Sequence, residues 1–233
     1  MRKIFIFLLC LLFFSCSQNN CEEAQLWDYP VKPGMEEWKQ FHSNKEMVAA
    51  CQIPEKILCC LSTEKLTDLC LQYPLLSDFY AFNFPDDGLD ILFKDFNGIR
   101  ELYKKNNVAD FLIKRYKEKI QMLSFLEDET IDSYKRSSFM ISVTNLDALL
   151  SRVEQQDNLK EILRNLVIGY EAISMLDSYA KNLMLRFNFF SRAHVIVKMH
   201  DEYRKEISNA FSAGGADSET ADSINKLSYQ LIK

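Results

Sequence analysis

Of the side chains able to do chemistry, Cys16 has the most telling neighbours. It follows Ser15 at the end of an apolar run, Ile4 to Phe14, which a basic start, Met1-Arg2-Lys3, introduces. Basic n-region, apolar h-region and a small residue at the cut are the parts of a secretory signal. The run is too short for a stable span, which takes about 20 apolar residues. A cysteine at that cut is expected to carry lipid rather than to catalyse. The alternative is an ordinary secreted protein cut elsewhere, but no small-x-small site stands nearby, and Cys21 follows the polar, bulky Gln18-Asn19-Asn20.

The segment resembles bacterial lipobox signals. That likeness implies a diacylglyceryl group on the Cys16 thiol, cleavage before it and acylation of the new amine. More than one acyl chain gives lasting attachment where a single chain is marginal. Residues 1–15 are therefore expected to leave as a lipoprotein signal peptide, and the mature protein to meet the membrane through its N-terminal lipid.

The other reactive residues do not assemble into a known template. Cys21, Cys51, Cys59, Cys60 and Cys70 are odd in number, contain no C-x-x-C pair, and have no histidine at ligand spacing, so no metal site is expected. Cys51, Cys60 and Cys70 read as small core hydrophobes. A Cys60 to Cys70 bridge is sterically conceivable, whereas a vicinal Cys59-Cys60 bridge would strain the backbone. His194 and His200, six apart on one expected helix, fall on opposed faces, and adjacent His200-Asp201 is no dyad. The acids Asp86-Asp87 and Glu127-Asp128-Glu129 are expected at helix starts, where the macrodipole accounts for them. G-x-S-x-G, H-E-x-x-H, the P-loop and the dinucleotide-binding glycine pattern are all missing. The expectation is no catalytic residue and no cofactor.

Charge points the same way. The sequence holds 33 acidic against 28 basic side chains, and losing Arg2 and Lys3 with the signal leaves 26 basic, a net charge of −7. Nucleic-acid binding needs clustered Lys and Arg. The densest cluster, Lys114-Arg115 with Lys117 and Lys119, encloses Glu118 and reads as a solvated helix face. A chain of this length can bury roughly 70% of its unfolded surface, enough for one real core.

The elements that position these residues follow from proline. Pro30, Pro33, Pro54, Pro74 and Pro85 all fall between residues 30 and 85, and none occurs afterwards. The expected fold is therefore all-α: an irregular helical bundle with short N-terminal helices and long C-terminal ones. Residues 16–34 read as a tether and extended lead-in, fastened by Trp27, Tyr29 and Trp38, and residues 35–233 as a single helical domain. Ser43 with Glu46, Pro54 and Ser62 are expected to open short helices. Asp86 is expected to cap another, which Asn97-Gly98 stops in a positive-φ turn. A helix is expected from Ile131 to Val153. Leu159, Leu163, Leu166, Tyr170, Ile173, Ala180, Met184 and Phe187 keep helical spacing across Asp177, with a bend or break expected near Asn188. Gly214-Gly215 should end it, and Asp217 or Ser218 should cap a last helix through Ile224, Leu227 and Leu231.

From Asp28 to about Tyr116 the chain resembles a family of secreted and lipid-anchored proteins from gut bacteria that has no assigned activity. The likeness rests on Tyr29-Pro30-Val31 with Pro33-Gly34, Glu37-Trp38, Cys51-Gln52-Ile53-Pro54 and Leu61-Ser62-Thr63-Glu64. It continues in Tyr73-Pro74-Leu75-Leu76, Ala81-Phe82-Asn83 and the run from Asp95 to Leu102. It implies a module of the cell envelope, at the outer membrane or elsewhere in it, and no reaction.

Two functions fit this reading. The favoured one is a non-catalytic, lipid-anchored helical interaction module with an envelope protein as partner. Its rival is a ligand-binding or processing accessory for envelope glycan or peptide. Trp38 and Phe82 are the expected partner anchors, because aromatics carry much interface energy. The competing reading pins both to the core, as it does Phe79, Tyr80 and Phe84.

Overall fold

Proline and serine set the grain of the first third. In the computed structural model, the described residues are 18–82, 85–177, 181–205, 207–208 and 218–233. The signal segment, Cys16, Phe84, Gly214-Gly215 and Asp217 lie outside them. Every regular element among the described residues is helical, as the proline distribution predicts. The short elements are α1 (Gln18–Leu26), α2 (Asn44–Ala50), α3 (Glu55–Leu58), α4 (Thr63–Leu71), α5 (Pro85–Asp95), α6 (Asn97–Leu102) and α7 (Val108–Gln121). 3-10 turns at Trp38–Gln40, Leu76–Ala81 and Leu123–Leu126 link them.

Ser43 and Ser62 cap α2 and α4, their hydroxyls accepting from the N–H groups of Glu46 and Lys65 at 3.3 and 3.1 Å. Pro54 sits one residue before α3 rather than inside it. Asp86 falls inside α5 rather than before it; the helix already begins at Pro85, whose fixed φ and missing N–H suit a first helical position.

Asn97-Gly98 does not stop a helix but opens α6. The Asn97 side chain is engaged by the backbone of Ile53, and the only positive-φ residue among those described is Gly34, with φ 95°. Gly98 answers a need for space: a Cβ there would run into the Phe96 ring and Ile53 Cδ1. That ring stacks on Tyr73 at 3.9 Å and 11°.

Residues 18–26, expected as tether, form a helix that two of its inner residues hold to the body. Ala24 is fully buried, and Cys21 is joined by a disulfide to Cys60 beside α3, 39 residues on. The lead-in behind it is fastened as expected. The Tyr29 hydroxyl donates to the Leu69 carbonyl at 2.9 Å, Trp27 meets the Tyr29 ring edge-on, and Trp38 is half-buried against the core with Phe41 5.6 Å away.

The second half is built of α8 (Ser133–Ser151), α9 (Gln156–Ser174), α10 (Lys181–Met199) and α11 (Ser218–Leu231). Here α10 packs on α8, α9 and α11, and α7 lies against α8 and α9. Asp132 caps α8 through the Lys135 N–H at 3.0 Å. Glu127-Asp128-Glu129 precede that start instead of forming it. Glu127 Oε1 instead accepts from the Asp177 N–H at 2.7 Å, just past the end of α9. The break in the long helical pattern therefore falls after Ser174 and not near Asn188, which is buried in the middle of α10.

Candidate functional site

The deepest polar groups converge from five helices. Asn188 and Arg192 stand one turn apart on α10 and point into the core rather than to water. Asn188 Nδ2 lies 2.9 Å from the Leu166 carbonyl, 3.2 Å from Tyr116 Oη of α7 and 3.3 Å from Asp147 Oδ1 of α8. Its Oδ1 accepts from Arg192 Nε at 2.9 Å. Arg192 Nη1 donates to Asn225 Oδ1 at 2.8 Å and Ser228 Oγ at 3.3 Å on α11, and its guanidinium sits 4.3 Å from the Tyr170 ring centroid. Gly169 makes the convergence possible, because a Cβ there would collide with the Tyr116 hydroxyl.

This cluster holds an unusual charge balance. No carboxylate among the described residues ion-pairs with Arg192, so neutral oxygens and one aromatic face take its charge. Burial brings Arg192 down to about 10. Burial also pushes the Asp147 carboxyl up to about 7, against the opposing pull of Tyr116, Asn188 and Arg192. Asp147 Oδ2 has no hydrogen-bond partner. Asp147 and Asn188 are fully buried and Arg192 is 1% exposed, so these groups fix the register of five helices and meet no solute in this conformation. The signal in the sequence was a glycine within a helix and two polar residues four apart on an apolar face.

The accessible site lies on the outer side of the same helices. Leu183, Arg186, Phe187 and Phe190 run along one face of α10, and Met140, Ile141 and Thr144 face them from α8. Tyr80 and Phe82, from the 3-10 turn at Leu76–Ala81 and its end, complete an open groove of about 380 Å³. Tyr80 is locked in place: its hydroxyl bonds Thr144 Oγ1 and donates to Asn145 Oδ1 at 3.0 Å, and its ring meets Phe187 edge-on at 4.7 Å. Burial holds the Tyr80 phenol well above its ordinary value, so it stays a neutral donor. Arg186 lies over Phe190 at 5.7 Å and makes no ion pair among the described residues. Phe82 and Leu183 remain 39% and 44% exposed.

Of the two expected anchors, Phe82 thus lines the groove and Trp38 does not. The basic cluster of α7 faces acids, with Arg115 on Asp68 at 2.7 and 2.9 Å and Lys114 on Glu64 at 2.8 Å. Cys51 and Cys70 are buried free thiols, as expected of core residues, and burial raises both, Cys51 to about 11. Cys60 is not a core residue: it is half-buried at the end of α3 and bonded to Cys21, while Cys59 is also disulfide-bonded. The Sγ atoms of Cys59 and Cys60 stand 4.0 Å apart, so no vicinal bridge joins them. His200 lies beyond the last residue of α10, off the helix that carries His194, with Nδ1 3.2 Å from Glu202 Oε1. Among the described residues no His, Cys, Asp and Glu group could hold a metal ion, and no helix is long and apolar enough to cross a membrane.

No family model matches this chain, no curated protein is similar to it in sequence, and no solved structure matches its fold.

Proposed function

We propose that the chain is a lipid-anchored protein of the cell envelope that works as a non-catalytic helical interaction module, with acyl chains on Cys16 and a partner protein on the groove between α8 and α10. The observation that carries this reading is the groove itself. Its aromatic and aliphatic lining is rigidly backed, since Tyr80 is tied to Thr144 and Asn145, yet Phe82 and Leu183 stay open to solvent. Exposed apolar surface of this kind, bordered by a cation such as Arg186, is typical of a protein-binding face. The signal-like segment before Cys16 and the likeness over residues 28–116 support the envelope address. Phe82 is retained as an anchor, and Trp38 is left to pin the lead-in.

The test is capture from native membranes with the anchored protein. Phe82→Ala with Leu183→Ala removes two exposed groove side chains and should abolish co-purification of the partner while leaving the melting temperature unchanged. Capture of the same protein by this variant at wild-type yield would refute the groove as the docking face.

A further inference from the structure

Beside the groove, and sharing only Ile141 with it, the start of α8 and the chain leaving α4 enclose a second depression of about 400 Å³. Its lining is of another kind. No residue in it carries a formal charge; amides and hydroxyls come from Gln72, Ser77, Ser138 and Asn145, and apolar surface from Pro74 and Tyr134. Tyr134 is 82% exposed, an aromatic ring held out on the second residue of a helix with nothing packed over it.

The polar groups are prepared for a solute. Asn145 is oriented by the Tyr80 hydroxyl, which donates to its Oδ1 at 3.0 Å, and its Nδ2 makes only one long contact, 3.4 Å, to Ser77 Oγ. One Nδ2 hydrogen is therefore spare. Gln72 and Ser138 are exposed and their side chains have no hydrogen-bond partner among the described residues. The depression thus offers several neutral donors and acceptors together with one open aromatic face. An anion or a cation would find no opposite charge there, and a purely apolar ligand would leave the amides unpaired at a cost in binding. The chemistry that answers all of these features is a neutral pyranose ring. Its hydroxyls both donate and accept, and its C–H face can lie against a tyrosine.

We propose that this depression is a binding subsite for a neutral glycan, with Tyr134 as stacking platform and Gln72, Ser138 and Asn145 as hydroxyl readers. Its volume is within the range of small-molecule sites, about 300–1,000 Å³. The four residues named for it do not line the protein-binding groove, so either proposal can fail without the other.

The experiment is saturation-transfer NMR and calorimetry on the full chain in detergent, with cellobiose, maltose and di-N-acetylchitobiose as neutral probes and digalacturonate as the charged one. At least one neutral disaccharide should bind and show transfer to its ring C–H protons. Tyr134→Ala and Gln72→Ala, both at exposed positions, should each weaken that binding about tenfold, the size of one lost contact, with an unchanged melting temperature. Phe82→Ala with Leu183→Ala should leave sugar binding intact. The subsite is refuted if none of the three neutral sugars binds, if digalacturonate alone binds, or if binding survives both single substitutions.

Discussion

Gln52 and Asn97 bind one another and, through each other, the chain on either side. The Asn97 N–H donates to Gln52 Oε1 at 3.0 Å, while the Asn97 amide brackets Ile53, accepting from its N–H at 3.0 Å and donating to its carbonyl at 2.7 Å. Gln52 Nε2 completes the clasp on the carbonyls of Val48 and Asp95, at 2.7 and 3.1 Å. Two amide side chains thereby do for the segment between α2 and α3 what a neighbouring strand would do for a strand.

Asn97→Ala removes both bonds to Ile53 and leaves its part-buried backbone groups unpaired. The expected loss is about 2–3 kcal/mol of unfolding free energy, read by urea denaturation. Asn97→Asp should be destabilising too, since a carboxylate can accept from the Ile53 N–H but cannot donate to its carbonyl. A loss under about 0.5 kcal/mol, the scatter expected of ordinary surface substitutions, would show the clasp to be incidental.

Gly169→Ala should cost about 1–3 kcal/mol, as overpacking of a tight core does. The obstacle is the end of one side chain, the Tyr116 hydroxyl oxygen and the ring carbon that bears it. Adding Tyr116→Phe to Gly169→Ala should therefore recover part of the loss, a double-mutant coupling with the sign of steric relief. Strict additivity of the two changes would place the strain elsewhere.

Asp147 gives the protein a pH dependence of definite sign. An unfolded aspartate titrates near 3.9 and the buried one at about 7. Between those values the folded state holds a proton that the unfolded state has lost. Stability therefore falls as pH rises from about 4 to about 7, and the full penalty, on the order of 4 kcal/mol, stands above that range. Asp28, Glu64 and Asp132, held below the ordinary carboxylate range by their hydrogen-bond partners, act in the opposite sense but titrate beneath this window. Asp147→Asn should flatten the stability profile between pH 5 and pH 8 and exceed the wild type at pH 8. Denaturant titrations at the two pH values decide it, and a slope that the substitution leaves untouched assigns the effect to another group.

The Cys21–Cys60 bridge predicts a local response to reduction. Closing a loop of this length is worth about 4 kcal/mol on the chain-entropy model. Cys21→Ala with Cys60→Ala should lower the melting temperature and open Gln18–Leu26 to proteolysis, while the buried network around Arg192 keeps its hydrogen-exchange protection. Equal proteolysis rates for variant and wild type would mean that the buried Ala24 and the Gln25 bond to the Cys60 carbonyl at 3.2 Å hold α1 without the bridge.

What could be read from the sequence divides by the range of the interaction responsible. Ser43 and Ser62 announced their helices because a cap is made within three residues of its own position. The clustering of proline before residue 86 set short helices before long ones for the same local reason. Asn97-Gly98 reads as a stop because local statistics say so, yet the partner that decides its conformation is Ile53, more than forty residues earlier. Asn188 looked like a weak point in a helix until Leu166, Asp147 and Arg192 supplied its bonds. Phe82 was visible as one ring in an aromatic run, but the groove it lines needs Leu183 and Arg186 from a helix about a hundred residues away.

Helix α1 has a consequence for reach. Its first residue, Gln18, is two Cα steps of about 3.8 Å each from Cys16. On the proposed anchoring, the body rides against the bilayer with almost no slack, able to rock but not to stand off. On that anchoring, whatever occupies the groove is met within about one protein diameter of the bilayer rather than at the end of a long leash.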